Sequence, residues 1–253
     1  MNNWKPRYTG RWRRLALSIA LVALPVTGAL AQREAAREGV SVGKPSRLSH
    51  LVSATEVEKA ASQQYHELLQ QAASKRALAQ PDHPQLQRIR AVAQRLIPQA
   101  ASWNQRTEKW NWEVNLIGSN QINAFCMPGG KIVFYQGILD QLKLTDDEVA
   151  MVMGHEMAHA LREHARARMA KGALTSVGAN VLVQVLGMGQ VGQVLTGYGA
   201  QLLSLKFSRS DESEADLVGM EIAARAGYDP RAAVTLWKKM AQANKASRVS
   251  MAL

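Results

Sequence analysis

His155-Glu156-Met157-Ala158-His159 constrains this chain more than any other stretch. On an α-helix, positions i and i+4 share one face, so both imidazoles are presented to the same point, about one turn apart. Two neutral imidazoles in that arrangement are half of a zinc site, and the Glu156 carboxylate beside the first is placed to serve as general base. A zinc hydrolase uses three protein ligands and keeps a fourth position open, so a second element has to bring the third ligand to this helix.

The flanks support a helix in the required phase. Thr145-Asp146-Asp147-Glu148 has the N-cap and N3 residues of a capping box. Val149, Val152, Met153, Glu156, Met157 and Ala160 follow at helical spacing. Gly154 costs about 1 kcal/mol against Ala mid-helix, which is tolerated where something packs close. Of the six histidines none lies beyond His164, so a downstream third ligand has to be a carboxylate. The run Ser208-Arg209-Ser210-Asp211-Glu212-Ser213-Glu214-Ala215-Asp216 supplies candidates. In a helix, Glu212 and Asp216 share a face and Glu214 points about 160° from each. The economical assignment makes Glu212 the ligand and Asp216 the carboxylate that orients a ligand histidine through its other ring nitrogen. Glu214 is then a solvated charge. An ordinary acidic helix start accounts for Asp211 and Glu212 through the dipole, but less naturally for Asp216.

These residues carry a resemblance. Asn123-Ala124-Phe125, Pro128-Gly129-Gly130-Lys131-Ile132, His155 to His159 and Glu212-Ser213-Glu214-Ala215-Asp216 occur in the order seen in one family. It is the gluzincin metallopeptidase family (M48-like) of the CAAX prenyl endopeptidase, HtpX and BepA type, and the sequence resembles its periplasmic branch over roughly residues 56–240. The resemblance implies one zinc ion per chain on His155, His159 and Glu212, with Glu156 as catalytic base and Asp216 behind a ligand. Relatives of this kind continue past the last helix into a His-Pro-containing segment. Ala246 to Leu253 contains none, so reduced turnover is expected, with Arg209 as a substitute for polarising the carbonyl.

The N-terminus reads as an export signal. Lys5, Arg7, Arg11, Arg13 and Arg14 precede the apolar run Leu15 to Leu24, then Pro25 and the small-residue end Ala29-Leu30-Ala31. Cleavage is expected after Ala31, which places the protein in the periplasm; ten apolar residues fall short of the ~20 that span a bilayer. Removing those five positives takes the net charge from +11 to +6. No basic stripe interleaved with aromatics occurs, so no nucleic-acid partner is expected. Arg162, Arg166, Arg168 and Lys171 read as a continuation of the zinc helix and a solvated face. Cys126, the single cysteine, reads first as a small apolar strand residue and second as a redox-sensitive thiol.

The expected architecture is α+β: a mostly helical zincin-like domain with a small β-sheet beside the zinc helix and an apolar helical hairpin. Residues 32–54 form a flexible lead-in and 55–253 the metallopeptidase domain. Helices are expected over Thr55–Ala79, capped by Thr55 with Glu58, over Pro84–Ala101 and over Arg231–Ala243. Trp110–Ile117 reads as a strand, and Ile122–Met127 with Lys131–Gly137 as a hairpin. Ile122–Met127 is the candidate edge strand for pairing with an extended peptide. Ala173 to Leu205 is uncharged and glycine-broken. It fits a hairpin packed on the domain, lying on a membrane surface or covering the site, with arms too short to span a bilayer. The function that follows is zinc-dependent hydrolysis of unfolded or misassembled exported proteins, with membrane-surface or outer-membrane assembly contacts. The rival is a zinc-containing periplasmic chaperone with little turnover.

Overall fold

The computed structural model describes residues 39–177 and 206–250. The expected leader over 1–31 and most of the apolar stretch 173–205 lie outside the described residues. Among the described residues, no helix is long and apolar enough to cross a membrane.

Local chemistry sets most element boundaries. Helix α1, Ala54–Ser74, is capped by Ser53, whose side chain accepts from the Glu56 N–H. Thr55 and Glu58 are therefore not its capping box. Glu58 instead accepts from Arg106 and from the Trp110 indole at 3.0 Å. Helix α2, Pro84–Leu96, has His83 as N-cap and proline in its first turn, where the missing N–H costs nothing. It ends earlier than the apolar pattern suggests, giving way to 3-10 turns over Ile97–Ser102 and Gln105–Lys109.

Three strands follow: β1 Glu113–Ile117, β2 Ala124–Met127 and β3 Lys131–Tyr135. The hairpin read from the sequence is β2–β3, antiparallel, turned by Gly129 and Gly130 at φ 87° and 77°. A side chain on Gly130 would meet the Trp112 ring at 2.7 Å. β1 pairs in parallel with β3, so the order is β1-β3-β2 and β2 forms an edge among the described residues. Central β3 buries Ile132, Val133 and Phe134 completely. Lys131 at its start is buried too, and its ammonium donates to Glu113 at 2.6 Å.

Among the described residues, four longer helices and one short one follow: α3 Gln136–Leu142, α4 Asp146–Leu161, α5 His164–Val177, α6 Arg209–Arg225 and α7 Ala232–Ser250. α4 opens with the expected Thr145/Glu148 capping box and α6 with an equivalent one from Ser208 and Asp211. α4 is buried on nearly every side, between β2 and the helices α2, α6 and α7. Its Met153, Met157 and Leu161 share one core with Leu86, Ile89 and Leu96 of α2 and Ile222 of α6. The architecture is α+β, largely helical, with a small mixed sheet beside α4.

α4, expected to continue through Lys171, does not run on past residue 161. Glu163 adopts φ 58° and His164 opens a new helix. Arg162, read as part of a solvated face, is buried and donates to Glu214 and to the Gly43 carbonyl. Arg166 donates to the Val52 carbonyl at 2.5 Å and to Glu163 at 2.6 Å; only Arg168 and Lys171 of that group are exposed. These bonds fasten the segment 39–53 to the domain. Its 3-10 turn Arg47–Leu51 lies on α5, where Leu48, Leu51 and Val52 pack with Met169 and Ala170.

Candidate metal centre

α4 carries His155 and His159 on one face, as i,i+4 spacing requires, and their Nε2 atoms lie 3.1 Å apart. α6 crosses over them at backbone contact. A Cβ on Gly154 would fall 2.5 Å from the Gly219 carbonyl oxygen, and one on Gly219 would fall 2.5 Å from the His155 nitrogen. Glycine at both positions lets α6 come near enough for short acidic side chains to reach the imidazoles. Glu212 Oε2 stands 3.5 Å from His155 Nε2, and its Oε1 stands 3.9 Å from His159 Nε2. The donor atoms of His155, His159 and Glu212 all lie within 4.8 Å of one another.

Asp216, one turn along from Glu212, places Oδ1 2.9 Å from His155 Nδ1. A carboxylate accepts only, so His155 carries its proton on Nδ1 and turns the Nε2 lone pair toward Glu212. Two ring nitrogens and a carboxylate thus converge with lone pairs facing one another. Such a set is stable only around a cation or a proton, and its mixed nitrogen and oxygen donors fit a divalent metal ion.

Electrostatics follow from the burial. Burial works to lower the His155 pKa, but the hydrogen bond to Asp216 and the nearby carboxylates leave it raised. Burial, with the His155 and His164 rings beside it, pushes His159 down to about 2. Burial also pushes Glu156 up to about 7, Glu212 adding to the effect and His155 opposing it. Aromatic rings wall the site: Phe207 stacks on His159 at 4.1 Å, and Trp237 meets His155 edge-on at 6.1 Å.

Two clefts meet at Glu156 and His155. One runs between the β2 edge, from Asn123 to Pro128, and His159, Phe207 and Glu212. The other is apolar, lined by Met151, Val152, Met220, Leu236, Trp237 and Met240 among others. Cys126 lies in β2, buried, and burial raises its thiol pKa. Arg209 is exposed at the start of α6 and lines neither cleft.

All five residues singled out in the sequence, His155, Glu156, His159, Glu212 and Asp216, come together here. Glu214 differs from its reading as a solvated charge. It accepts from Arg162 and stands 3.3 Å from His164 Nε2. The helix phase is as expected; the face opposite Glu212 is covered by the start of α5 rather than by water. His164, Phe207 and Trp237 were not singled out for the site, and Arg162 was read as part of a solvated face. Nothing local marks them: Arg162 and His164 reach the site through the chain reversal at Glu163, Phe207 from the segment leading into α6, and Trp237 from α7.

A buried helix bearing His-Glu-x-x-His, covered by a second helix bearing Glu and Asp, is the arrangement of a gluzincin-type site. The sequence model of Peptidase family M48 matches residues 83–250, more than half of the chain, and the chain belongs to that family. Mitochondrial metalloendopeptidase OMA1 of Arabidopsis thaliana is 40% identical over 130 residues, which is 51% of this chain and 26% of that protein. Metalloprotease LoiP of Escherichia coli is 30% identical over 143 residues, covering 53% of each. The beta-barrel assembly-enhancing protease of Escherichia coli is 32% identical over 171 residues, which is 64% of this chain and 34% of that protein. This chain therefore spans between about a quarter and about half of the length of these relatives.

Proposed function

We propose that this protein is a zinc-dependent endopeptidase that cleaves unfolded or misassembled exported proteins in the periplasm. The observation that carries the reading is the convergence of His155, His159 and Glu212 around a point flanked by Glu156 and by β2, an edge strand among the described residues. His155 and His159, through Nε2, and Glu212, through its carboxylate, would hold the ion. Zinc in such a site supplies a Lewis acid for the scissile carbonyl and makes water acidic near neutrality.

The chain's own residues do the rest. An extended peptide pairs with β2, main chain to main chain, so that binding depends little on sequence. The adjoining apolar cleft accepts one large side chain. Glu156 takes the proton of the attacking water on its carboxylate and returns it to the leaving amine. Asp216 holds the His155 ring in the tautomer that leaves Nε2 free. Exported, misassembled clients are supported by the basic and apolar N-terminal pattern and by relatives named as bacterial proteases, one of them for β-barrel assembly. Contacts with the outer-membrane assembly machinery belong to the same reading.

Zinc content and casein cleavage measured side by side on the wild-type chain and on Glu156→Gln test it. One zinc per chain in both, with cleavage about 10²–10⁴-fold slower in the variant, is expected. Zinc in both and cleavage in neither would support the chaperone instead. No zinc in the wild type would remove the ligand assignment.

A further inference from the structure

His155 is backed directly by a carboxylate; His159 is not. The Nδ1 atom of His159 faces α5, where it lies 3.0 Å from Nδ1 of His164. A bond between two ring nitrogens holds a single proton, so one ring donates and the other accepts. If His159 is to offer Nε2 to a metal ion, its own proton sits on Nδ1, and His164 has to accept there. His164 then carries its proton on Nε2, which stands 3.3 Å from Glu214 Oε2. Glu214 is itself gripped by Arg162, whose guanidinium also holds the Gly43 carbonyl. His164 and Arg162 are buried, their side chains 5% and 6% exposed, and the Glu214 side chain is 23% exposed.

We propose that His164 and Glu214 form a positioning relay: the Glu214 carboxylate fixes the His164 tautomer, and His164 in turn fixes the ring and tautomer of the metal ligand His159. The two ligand histidines are thereby supported in different ways, one by Asp216 at first hand and one by Glu214 through an intervening imidazole. The break in the helix makes this arrangement possible. On an uninterrupted helix His164 would lie about 140° around the axis from His159 and could not reach its ring. The left-handed residue Glu163 ends α4 and returns His164 to the site. Three of the five carboxylates of α6 then divide their work by phase: Glu212 and Asp216 serve one side of α4, and Glu214 serves the other through α5.

The inference rests on His159 being a metal ligand, and its test separates the two ideas. Long-range ¹H–¹⁵N correlation spectra of the full chain with ¹⁵N-labelled histidine report the proton position on each ring. His159 is expected to carry its proton on Nδ1 and His164 on Nε2; a proton on His164 Nδ1 overturns the relay, whether or not zinc binds. Zinc affinity by chelator competition is expected to fall about 10–100-fold in Glu214→Gln and His164→Leu. His164→Asn, whose amide oxygen takes the place of Nδ1 as acceptor, should lose less than His164→Leu. Wild-type zinc affinity in folded Glu214→Gln and His164→Leu would overturn the proposal. A wild-type chain that takes up no zinc would count against the metal reading, and the tautomers would still decide the relay.

Discussion

Glu148 illustrates how much one side chain does in this molecule. It completes the α4 capping box by accepting from the Thr145 N–H at 2.8 Å. The same carboxylate receives the Thr235 hydroxyl at 2.8 Å and the Lys239 ammonium at 2.6 Å, both from α7. Burial by itself would raise its pKa; the bonds from Lys239, Thr145 and Thr235 outweigh burial and hold it below the ordinary carboxylate value. A depressed folded pKa means stability that is complete above the unfolded value, about 4.3, and lost as pH falls through the folded one. Glu148→Gln should lower the stability at pH 7 by about 1–3 kcal/mol. It should also flatten the loss of Tm on acidification below about pH 4.3 relative to wild type. Thermal melts of both proteins from pH 3 to 7 check this, and parallel curves would refute it. The capping role of Glu148 was legible from its place three residues after Thr145. Its link to α7 was not, because Thr235 and Lys239 are distant in sequence.

Among the elements, the pair α4 and α6 determines the geometry of the site. Their backbones touch at Gly154 and Gly219, and that contact sets the distance from Asp216 to His155. Replacing either glycine by alanine would gain about 1 kcal/mol of helix propensity. Overpacking of a close contact costs about 1–3 kcal/mol and moves the helices apart. Gly219→Ala is therefore expected to be less stable than wild type and to bind zinc more weakly, as measured by denaturant melts and chelator competition. A variant more stable than wild type would show that the helices have room to spare. The need for a close neighbour at Gly154 was readable from its position in mid-helix, as were the shared face of Glu212 and Asp216. The end of α4 was not. Leu161-Arg162-Glu163-His164 contains neither glycine nor proline, and a left-handed glutamate is chosen by the packing of α5 on the segment 39–53. The parallel pairing of β1 with β3 was likewise outside the reach of period-two alternation, which identifies a strand but not its neighbours.

At the level of the whole molecule, the candidate metal centre lies between the helix that runs through the core and the helix that covers it. An ion held there contributes to folding stability by mass action, about 4 kcal/mol when free metal exceeds its dissociation constant a thousandfold. Chelation of the wild-type chain should therefore lower Tm by roughly 5–15 °C, for a domain of this size, with recovery on adding zinc. A Tm insensitive to chelator would indicate that the two helices hold their arrangement without it. The amino-acid sequence by itself put forward the candidate donor set, His155, His159 and Glu212, with Glu156 and Asp216 beside them. The helical period is a local property, and it assigns residues to faces wherever the chain stays helical. Only the tertiary structure decided what lies against each face: β2 as an edge along the cleft among the described residues, a buried Arg162, and Glu214 turned to His164 instead of to solvent. Those outcomes depend on contacts between residues far apart in the chain, and no local pattern encodes which surfaces will meet.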